Sequence, residues 1–406
     1  MKGHFYKKHC KCPKNRKCTC GAKWYFAIDI GIDPRTGKRK QKRKGGFNTK
    51  KEAQLAAAEI MKEVNEGTYI NESDITFKNF AYHWLDLYFA SGRVKESTIR
   101  VRKIEIKQLM YYFEYLKLKD ITPKMYQDAL IDMRKRGYAT NTISGAHRSG
   151  RMIFSKAHEL GLIRKNPTES AVLPLTQKTI EDIELEKQIP KHLEREELFT
   201  FLETAKTKGL SLDYPIFLTL AYTGMRVGEL SALKWSDIDF KEKTISITKT
   251  YYSPDNNSRE YKLLTPKTKS SVRVIDIDET VLEELKKLRA IQNELKMKYR
   301  RTYHDEDFVF AKIDNKELLG YPECPKKIRR RFKRILKLSN LDSSLSSHSL
   351  RHTHTSLLSE AGVNLEEIME RLGHRDDNTT RNIYLHITKT RKKKVSQKFS
   401  ELMRNP

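Results

Sequence analysis

Six side chains in the C-terminal half of this 406-residue chain are of the types that phosphoryl chemistry requires: Arg226, Lys267, His348, Arg351, His374 and Tyr384. Each has its own local frame. Arg226 stands in Thr-Gly-Met-Arg-Val-Gly-Glu-Leu, Lys267 in Thr-Pro-Lys-Thr-Lys, and His348 and Arg351 share His-Ser-Leu-Arg-His. His374 ends Leu-Gly-His, and Tyr384 follows it by ten positions in Ile-Tyr-Leu-His. A phosphodiester resists attack because the nucleophile approaches an anion and the pentavalent transition state gathers more charge. Fixed cationic donors offset both problems, and loss of one typically costs on the order of 10²–10³ in rate. A phenol titrates at about 10, so it needs a base or nearby cations to attack at neutral pH. The ester it forms keeps the energy of the original bond, so the step needs neither ATP nor a metal.

The elements that must position these groups can be read locally. Gly224 permits a sharp turn, which puts Arg226 at the start of a new helix. Glu229, three residues on, shares its face and can orient the guanidinium. His348 and Arg351 are also three apart, so a helix capped by Ser346 or Ser347 turns both one way and adds its positive end to an anion site. His348 and His352 have the spacing of a metal-binding pair as well, but no Glu-x-x-His arrangement completes it. Gly373 reads as a helix C-terminus with His374 projecting past it. Lys267 falls on a hairpin-like tip between two strand-like segments, Ile245–Ile247 and Val272–Ile277. From there a lysine can protonate a departing 5′ oxygen, and Lys269 is its rival. His348 is the base assigned to Tyr384.

This set, in this order, resembles the tyrosine recombinase (phage-type integrase) family, in particular three-domain integrases with an N-terminal arm-type DNA-binding domain. The resemblance is strongest over about 190–390. It selects Lys267 over Lys269. It implies that Arg226, Lys267, His348, Arg351 and His374 hold the phosphate while Tyr384 forms a 3′-phosphotyrosyl link, independent of metal and ATP. It further implies a tetramer on double-stranded DNA with core and arm sites, integration and excision of a mobile element or prophage, and help from a host bending protein and an excisionase. The His-to-Tyr gap of ten, where nine is commoner, and the Cys-x-Cys pairs depart from the family pattern. Two rivals are a type IB topoisomerase, which shares the chemistry, and a DNA-binding regulator with a dead site. The basic leading segment argues against the first and the filled chemical positions against the second.

Charge supports a polyanionic partner. Lys and Arg number 80 against 52 Asp and Glu, a net +28, far beyond what solubility requires. Residues 1–70 hold 18 of those cations and 6 carboxylates. Trp24–Ile30 reads as a strand, Asp33–Gly37 as a turn, and Lys38, Arg39, Lys40, Lys42, Arg43 and Lys44 as a return strand ended by Gly45-Gly46. Thr49 then caps a helix to about Asn65. A cationic ribbon on a packing helix can enter a major groove. The cysteines Cys10, Cys12, Cys18 and Cys20 can hold a structural zinc, although Cys-x2-Cys is the usual spacing.

Residues 73–170 read as a helical core-binding bundle. Phe77, Phe80, Trp84, Leu87 and Tyr88 form its apolar stripe, and Arg100, Arg102, Lys103 and Lys107 form a basic face for DNA. Residues 171–190 read as a linker and 191–406 as the catalytic domain. In that domain Val395, Phe399, Leu402 and Met403 mark a terminal helix, packed on its own domain or on a neighbouring protomer. The expected fold class is multi-domain α+β: a small sheet-plus-helix arm domain, an all-α bundle, and a mainly α catalytic domain with a small antiparallel sheet, the DNA breaking-rejoining fold. No apolar run reaches the ~18 residues of a membrane span, and no signal-peptide stretch opens the chain. The expected location is therefore the cytoplasm, at the nucleoid.

Overall fold

The computed structural model describes residues 3–10, 12, 20–32, 38–65, 74–92, 94–174, 191–254, 257–266, 269–373, 378 and 380–386. It divides into two compact units, Met1–Thr176 and Gln177–Pro406.

The first unit opens on an antiparallel sheet of β1 (Gly3–Lys7), β2 (Trp24–Ile32) and β3 (Arg39–Phe47), in that spatial order. The sequence pattern predicts only the last two strands and ends β3 at Gly45-Gly46, whereas β3 runs through both glycines to Phe47. Gly45 belongs inside the strand because the Tyr25 ring occupies the space its side chain would fill, 2.0 Å from a Cβ built there. The helix α1 (Lys50–Asn65) is capped as expected. Thr49 Oγ1 accepts from the Glu52 N–H (3.2 Å), and Glu52 Oε2 accepts from the Asn48 N–H (3.0 Å). Ala53 and Ala57 of α1 seal Phe26 and Ile28 of β2. The turn expected at 33–37 lies outside the described residues.

Four helices follow in this unit: α2 (Phe77–Ala90), α3 (Glu96–Phe113), α4 (Pro123–Lys135) and α5 (Thr140–Glu159). Thr76 and Thr122 cap α2 and α4 by accepting from the N–H groups of Asn79 and Met125. The rings of Phe77, Phe113, Tyr126 and Phe154 meet at centroid distances of 5.6–5.9 Å. Leu87 is not in this core. It is 42 % exposed, at the edge of the stripe that Phe77, Phe80 and Trp84 centre. A Cβ on Gly145 of α5 would lie 2.6 Å from Glu105 Oε1 of α3, so a side chain there would push that carboxylate off Arg102 and Ser149.

The second unit is built round α7 (Asp213–Thr223), whose sides are almost all apolar and buried, the pattern of a central helix. Packed with it are α6 (Arg195–Lys208), α8 (Val227–Ser231), α9 (Glu279–Lys298), α10 (Pro325–Leu338), α11 (Ser349–Ala361) and α12 (Leu365–Leu372). A small antiparallel sheet orders β4 (Ile238–Asp239), β5 (Thr244–Ile247) and β8 (Arg273–Asp276), and β6 (Thr250–Tyr252) pairs with β7 (Lys262–Leu264) apart from it. Residues 380–386 are helical. The start of α7 is pinned by a buried ion pair in which Arg331 donates to Asp213 (3.0 Å) and to Asp314 (2.9 Å). The fold class matches the expectation. The terminal helix expected at 395–403 lies outside the described residues. Among those described, no helix is long and apolar enough to cross a membrane.

Candidate active site

Helix α7 stops at Gly224, which takes the left-handed conformation at φ 61°. A Cβ there would press on His354 and Leu372, each at 2.7 Å. Glycine is therefore needed for both backbone angle and close approach. The chain turns, and Arg226 becomes the N-cap of α8. Its guanidinium donates to Glu229 Oε1 (2.8 Å), and its backbone N–H donates to Glu229 Oε2 (3.0 Å). The reading of Glu229 as orienting partner fits this geometry.

A second guanidinium, absent from the sequence reading, completes that arrangement. Arg273 of β8 is buried and donates from Nη2 to Glu229 Oε2 (3.0 Å), from Nε to the Arg371 carbonyl (2.8 Å) and from Nη1 to the Ser271 carbonyl (3.0 Å). Burial pushes the Glu229 carboxyl up. The Arg273 charge and hydrogen bond, with Arg226 adding to them, outweigh that and hold it below the usual carboxylate range.

Arg351 lies in the first turn of α11 and is 3 % exposed. Its Nη1 donates to the Gly224 carbonyl and its Nη2 to the Leu372 carbonyl, both at 2.6 Å. One planar fork thus joins the turn before Arg226 to the end of α12, two residues before His374. His348 is the N-cap of α11, with its ring edge-on to His352 at 4.8 Å. The cap differs from the expectation: neither Ser346 nor Ser347 is the N-cap, His348 makes no side-chain cap hydrogen bond, and Ser349 Oγ accepts from the Ser346 N–H (3.1 Å) ahead of the helix.

His354 supplies a further tie. Its Nδ1 donates to the Ala221 carbonyl (2.8 Å), so Nε2 carries no proton and accepts from Arg371 Nε (3.1 Å). Arg371 Nη2 also donates to the carbonyls of Tyr222 and Asp276. Burial, then the Arg371 charge, lowers the His354 pKa to about 3. The unfolded chain protonates this group near its ordinary 6.5, while the folded chain does not. Its contribution to stability is therefore complete above that value and is lost as pH falls below it. Between pH 7 and pH 5 the loss is about 2 kcal/mol. Thermal unfolding of parent and His354→Gln at the two pH values should show this increment in the parent alone.

Lys267 and His374 lie outside the described residues, but their described neighbours converge. Gly373, left-handed at φ 67°, sits so close to the Lys269–Ser271 turn that a Cβ on it would lie 2.9 Å from the Ser270 carbonyl. The strands flanking Lys267, β7 and β8, belong to different sheets. The segment is a crossover between sheets and not the hairpin tip expected, because the 250–264 stretch folds its own hairpin. Tyr384 is half-buried on the last described helix, one residue after the fully buried Ile383. The structure thus gathers Arg226 and Arg351 round the end of α7, with His348 one helical turn before Arg351. Arg273, His354 and Arg371 hold the surrounding backbone.

The basic faces of the first unit are less uniform than their sequence. Lys38, Arg39, Lys40, Arg43 and Lys44 are exposed and Lys42 is half-buried. The register pairs Lys42 with Ile28 and Lys44 with Phe26, so both share the face that α1 covers. Arg43, opposite Ala27, shares the other face with His4, Tyr6 and Tyr25. Those rings stack in series at 5.2 and 5.8 Å. Arg100, Lys103 and Lys107 are exposed on α3. Arg102 corrects the expectation of a DNA contact: it is buried, donating to Glu105 (2.5 Å) and reaching Ser149 (3.4 Å). The i, i+3, i+7 spacing of the other three already places position 102 on another side of the helix. On α5, His147, Arg148 and Arg151 line a cleft of about 510 Å³ that the sequence reading passed over. Of the cysteines, Cys10, Cys12 and Cys20 bring their sulfurs within 4.8 Å of one another, and Cys18 lies outside the described residues.

Comparison with known proteins agrees with this layout. Residues 191–391 match the phage integrase family, 16–64 an arm DNA-binding domain, and 76–133 a phage integrase N-terminal SAM-like domain. The prophage ps2 "probable integrase" of Lactococcus lactis is 30% identical over 363 residues, which cover 86% of this chain and 89% of that protein. The chain belongs to the phage integrase family. It is a site-specific tyrosine recombinase, an enzyme that breaks and rejoins DNA. Its fold is shared by the Tn1549 transposon integrase in complex with transposon right end DNA (TM-score 0.59, 22% identity, covering 79% of this chain and 100% of that one). A lambda integrase tetramer bound to a Holliday junction also shares it (TM-score 0.55, 18% identity, covering 88% and 92%).

Proposed function

We propose that this recombinase cleaves one DNA strand by attack of the Tyr384 hydroxyl on a phosphorus held by Arg226, Arg351, His348, Lys267 and His374. The phenolic oxygen bonds to phosphorus, its proton passes to His348, and the bond to the 5′ oxygen breaks. Lys267 gives that leaving oxygen a proton. The product is a 3′-phosphotyrosyl ester, which a 5′ hydroxyl from a partner strand reverses. The bond energy is conserved, so no ATP or metal enters the reaction, and any metal on this chain is structural. The observation that carries the reading is the Arg351 fork on the Gly224 and Leu372 carbonyls. It brings the Thr-Gly-Met-Arg, His-Ser-Leu-Arg-His and Leu-Gly-His frames to one place.

On this reading the chain divides into an arm-binding domain at 1–70, a core-binding domain at 73–170, a linker at 171–190 and a catalytic domain at 191–406. Lys38, Arg39, Lys40 and Arg43 serve arm DNA, and Arg100, Lys103 and Lys107, with Arg148 and Arg151, serve the core site. Tetramers on paired sites integrate and excise the element in the cytoplasm, with a bending protein and an excisionase as helpers. A relaxation enzyme has no need of two separate DNA-binding modules ahead of its catalytic domain.

The test is a nicked suicide duplex from which the short 5′-hydroxyl fragment diffuses away after cleavage. We expect a covalent protein–DNA adduct that forms in the presence of chelator, and whose nucleotide remnant maps by peptide mass spectrometry to Tyr384. Mapping to another tyrosine, or no adduct on any core-site sequence, overturns the reading.

A further inference from the structure

Recombination chemistry gives no task to the thiols that bracket the β1–β2 connection. Cys10 and Cys12 follow β1, and Cys20 stands four residues before β2. Their sulfurs nevertheless lie within 4.8 Å of one another, with Cys10 and Cys20 at 3.5 Å. A disulfide would need about 2.05 Å. Thiolates sharing one tetrahedral Zn²⁺, each about 2.3 Å from the ion, lie roughly 3.8 Å apart. The separations observed are those of co-ligands. His9 contributes to the convergence by taking φ 60°, a left-handed turn uncommon for a residue with a side chain. Among the described residues, this is the one group of three potential metal ligands that meets.

The sheet also has a use for such a clip. Its fully buried apolar core is four residues, Phe26, Ile28, Ala53 and Ala57, and a core that small needs a staple. Strand β1 is the sheet's edge, pairing with β2 over five residues and packing one ring, Phe5, against that core. Yet β1 supplies His4 and Tyr6 to the aromatic face that Tyr25 and Arg43 continue.

We propose that Cys10, Cys12 and Cys20 bind one Zn²⁺ as thiolates, and that this clip holds β1 in register and so builds the DNA-facing surface of the sheet. Each thiol gives its proton to solvent as the metal binds. Cys18 supplies a further thiol in the sequence, but the three described ones carry the proposal. The link to DNA rests on the arm-binding reading of residues 1–70; the metal site does not.

The experiment uses the full chain, purified reduced and without chelator. Elemental analysis should give one zinc per chain, and cobalt exchanged into the site should show sulfur-to-metal charge-transfer absorption. Cys12→Ser and Cys20→Ser should lose the metal, Cys20→His should keep it, and Cys324→Ser should be indifferent. Chelation should speed amide exchange in residues 3–7 but not in α5. It should weaken binding to a mixed-sequence duplex, since the strand that carries His4 and Tyr6 loosens with the metal. A chain that carries no zinc and exchanges equally with and without chelator overturns the clip, as does a Cys10–Cys20 disulfide in the mass of the unreduced chain. Adduct formation on the suicide duplex is read in the same samples. An adduct absent from zinc-loaded chain sinks the recombination mechanism and leaves the clip standing, whereas an adduct formed by chain that was purified without any zinc sinks the clip and leaves the mechanism standing.

Discussion

Tyr384→Phe should form no covalent adduct on the suicide duplex while binding the same DNA with parental affinity. The substitution removes one oxygen, the one that bonds to phosphorus in the mechanism proposed above. The ring remains, and Tyr384 is only half-buried beside the fully buried Ile383. Helix packing should therefore change little, by no more than ~0.5 kcal/mol. Since all other phosphate ligands stay in place, the loss is one of chemistry and not of affinity. The measurement is adduct yield against time by denaturing electrophoresis, with duplex affinity taken by anisotropy on the same preparation. An adduct of undiminished yield would show that another nucleophile does the work. Parallel loss of adduct and of binding would show that the hydroxyl serves the structure instead.

Which parts of this site could be read from the chain, and which could not, follows from the range of the interactions involved. The frame around Arg226 is legible because its geometry is local: Gly224 sets the turn and Glu229 returns to the backbone three residues away. The His348–Arg351 pair is legible for the same reason, one helical turn being enough to place both. Arg273, His354 and Arg371 were not legible. Their main partners are backbone carbonyls and a carboxylate far off in sequence, and a carbonyl leaves no mark in an amino-acid pattern. The ring of His354, for example, connects Ala221 to Arg371. Strand β1 escaped because it is five residues long and becomes a strand only by pairing with β2. The crossover that carries Lys267 was misread as a hairpin because β6 and β7 are three residues each, too short to declare a period. Arg102 is the instructive error. Charge alone put it with its neighbours on a DNA face, whereas helical phase assigns it to the interior, where Glu105 and Ser149 receive it.

Arg351→Lys should lower the single-turnover cleavage rate on the order of 10²–10³ while leaving the chain folded and bound to DNA. The positive charge is kept, so a role through charge alone would predict almost no effect. What is lost is the fork. A guanidinium reaches the Gly224 and Leu372 carbonyls together from two coplanar nitrogens. A lysine has three N–H donors but all on one nitrogen, which cannot sit at hydrogen-bond distance from two carbonyls spaced for a fork, so one is left buried with its donor lost or badly placed, at about 1–3 kcal/mol. That penalty falls on the contact that draws the turn before Arg226 toward the end of α12. The variant should therefore loosen the placement of two further phosphate ligands, Arg226 and His374, besides weakening its own. The melting temperature should fall by an amount consistent with one unmet hydrogen bond, and duplex affinity should hold because the positive charge is kept and the many other cations proposed to face DNA are untouched. Comparison with Arg226→Lys separates the two contributions. Arg226 is more exposed and, among the described residues, its guanidinium donates to Glu229 alone, so its lysine variant should lose rate with a smaller loss of stability. Equal rates for Arg351→Lys and the parent would mean that the Gly224–Leu372 tie does not assemble the phosphate site, and the mechanism built on it would fall.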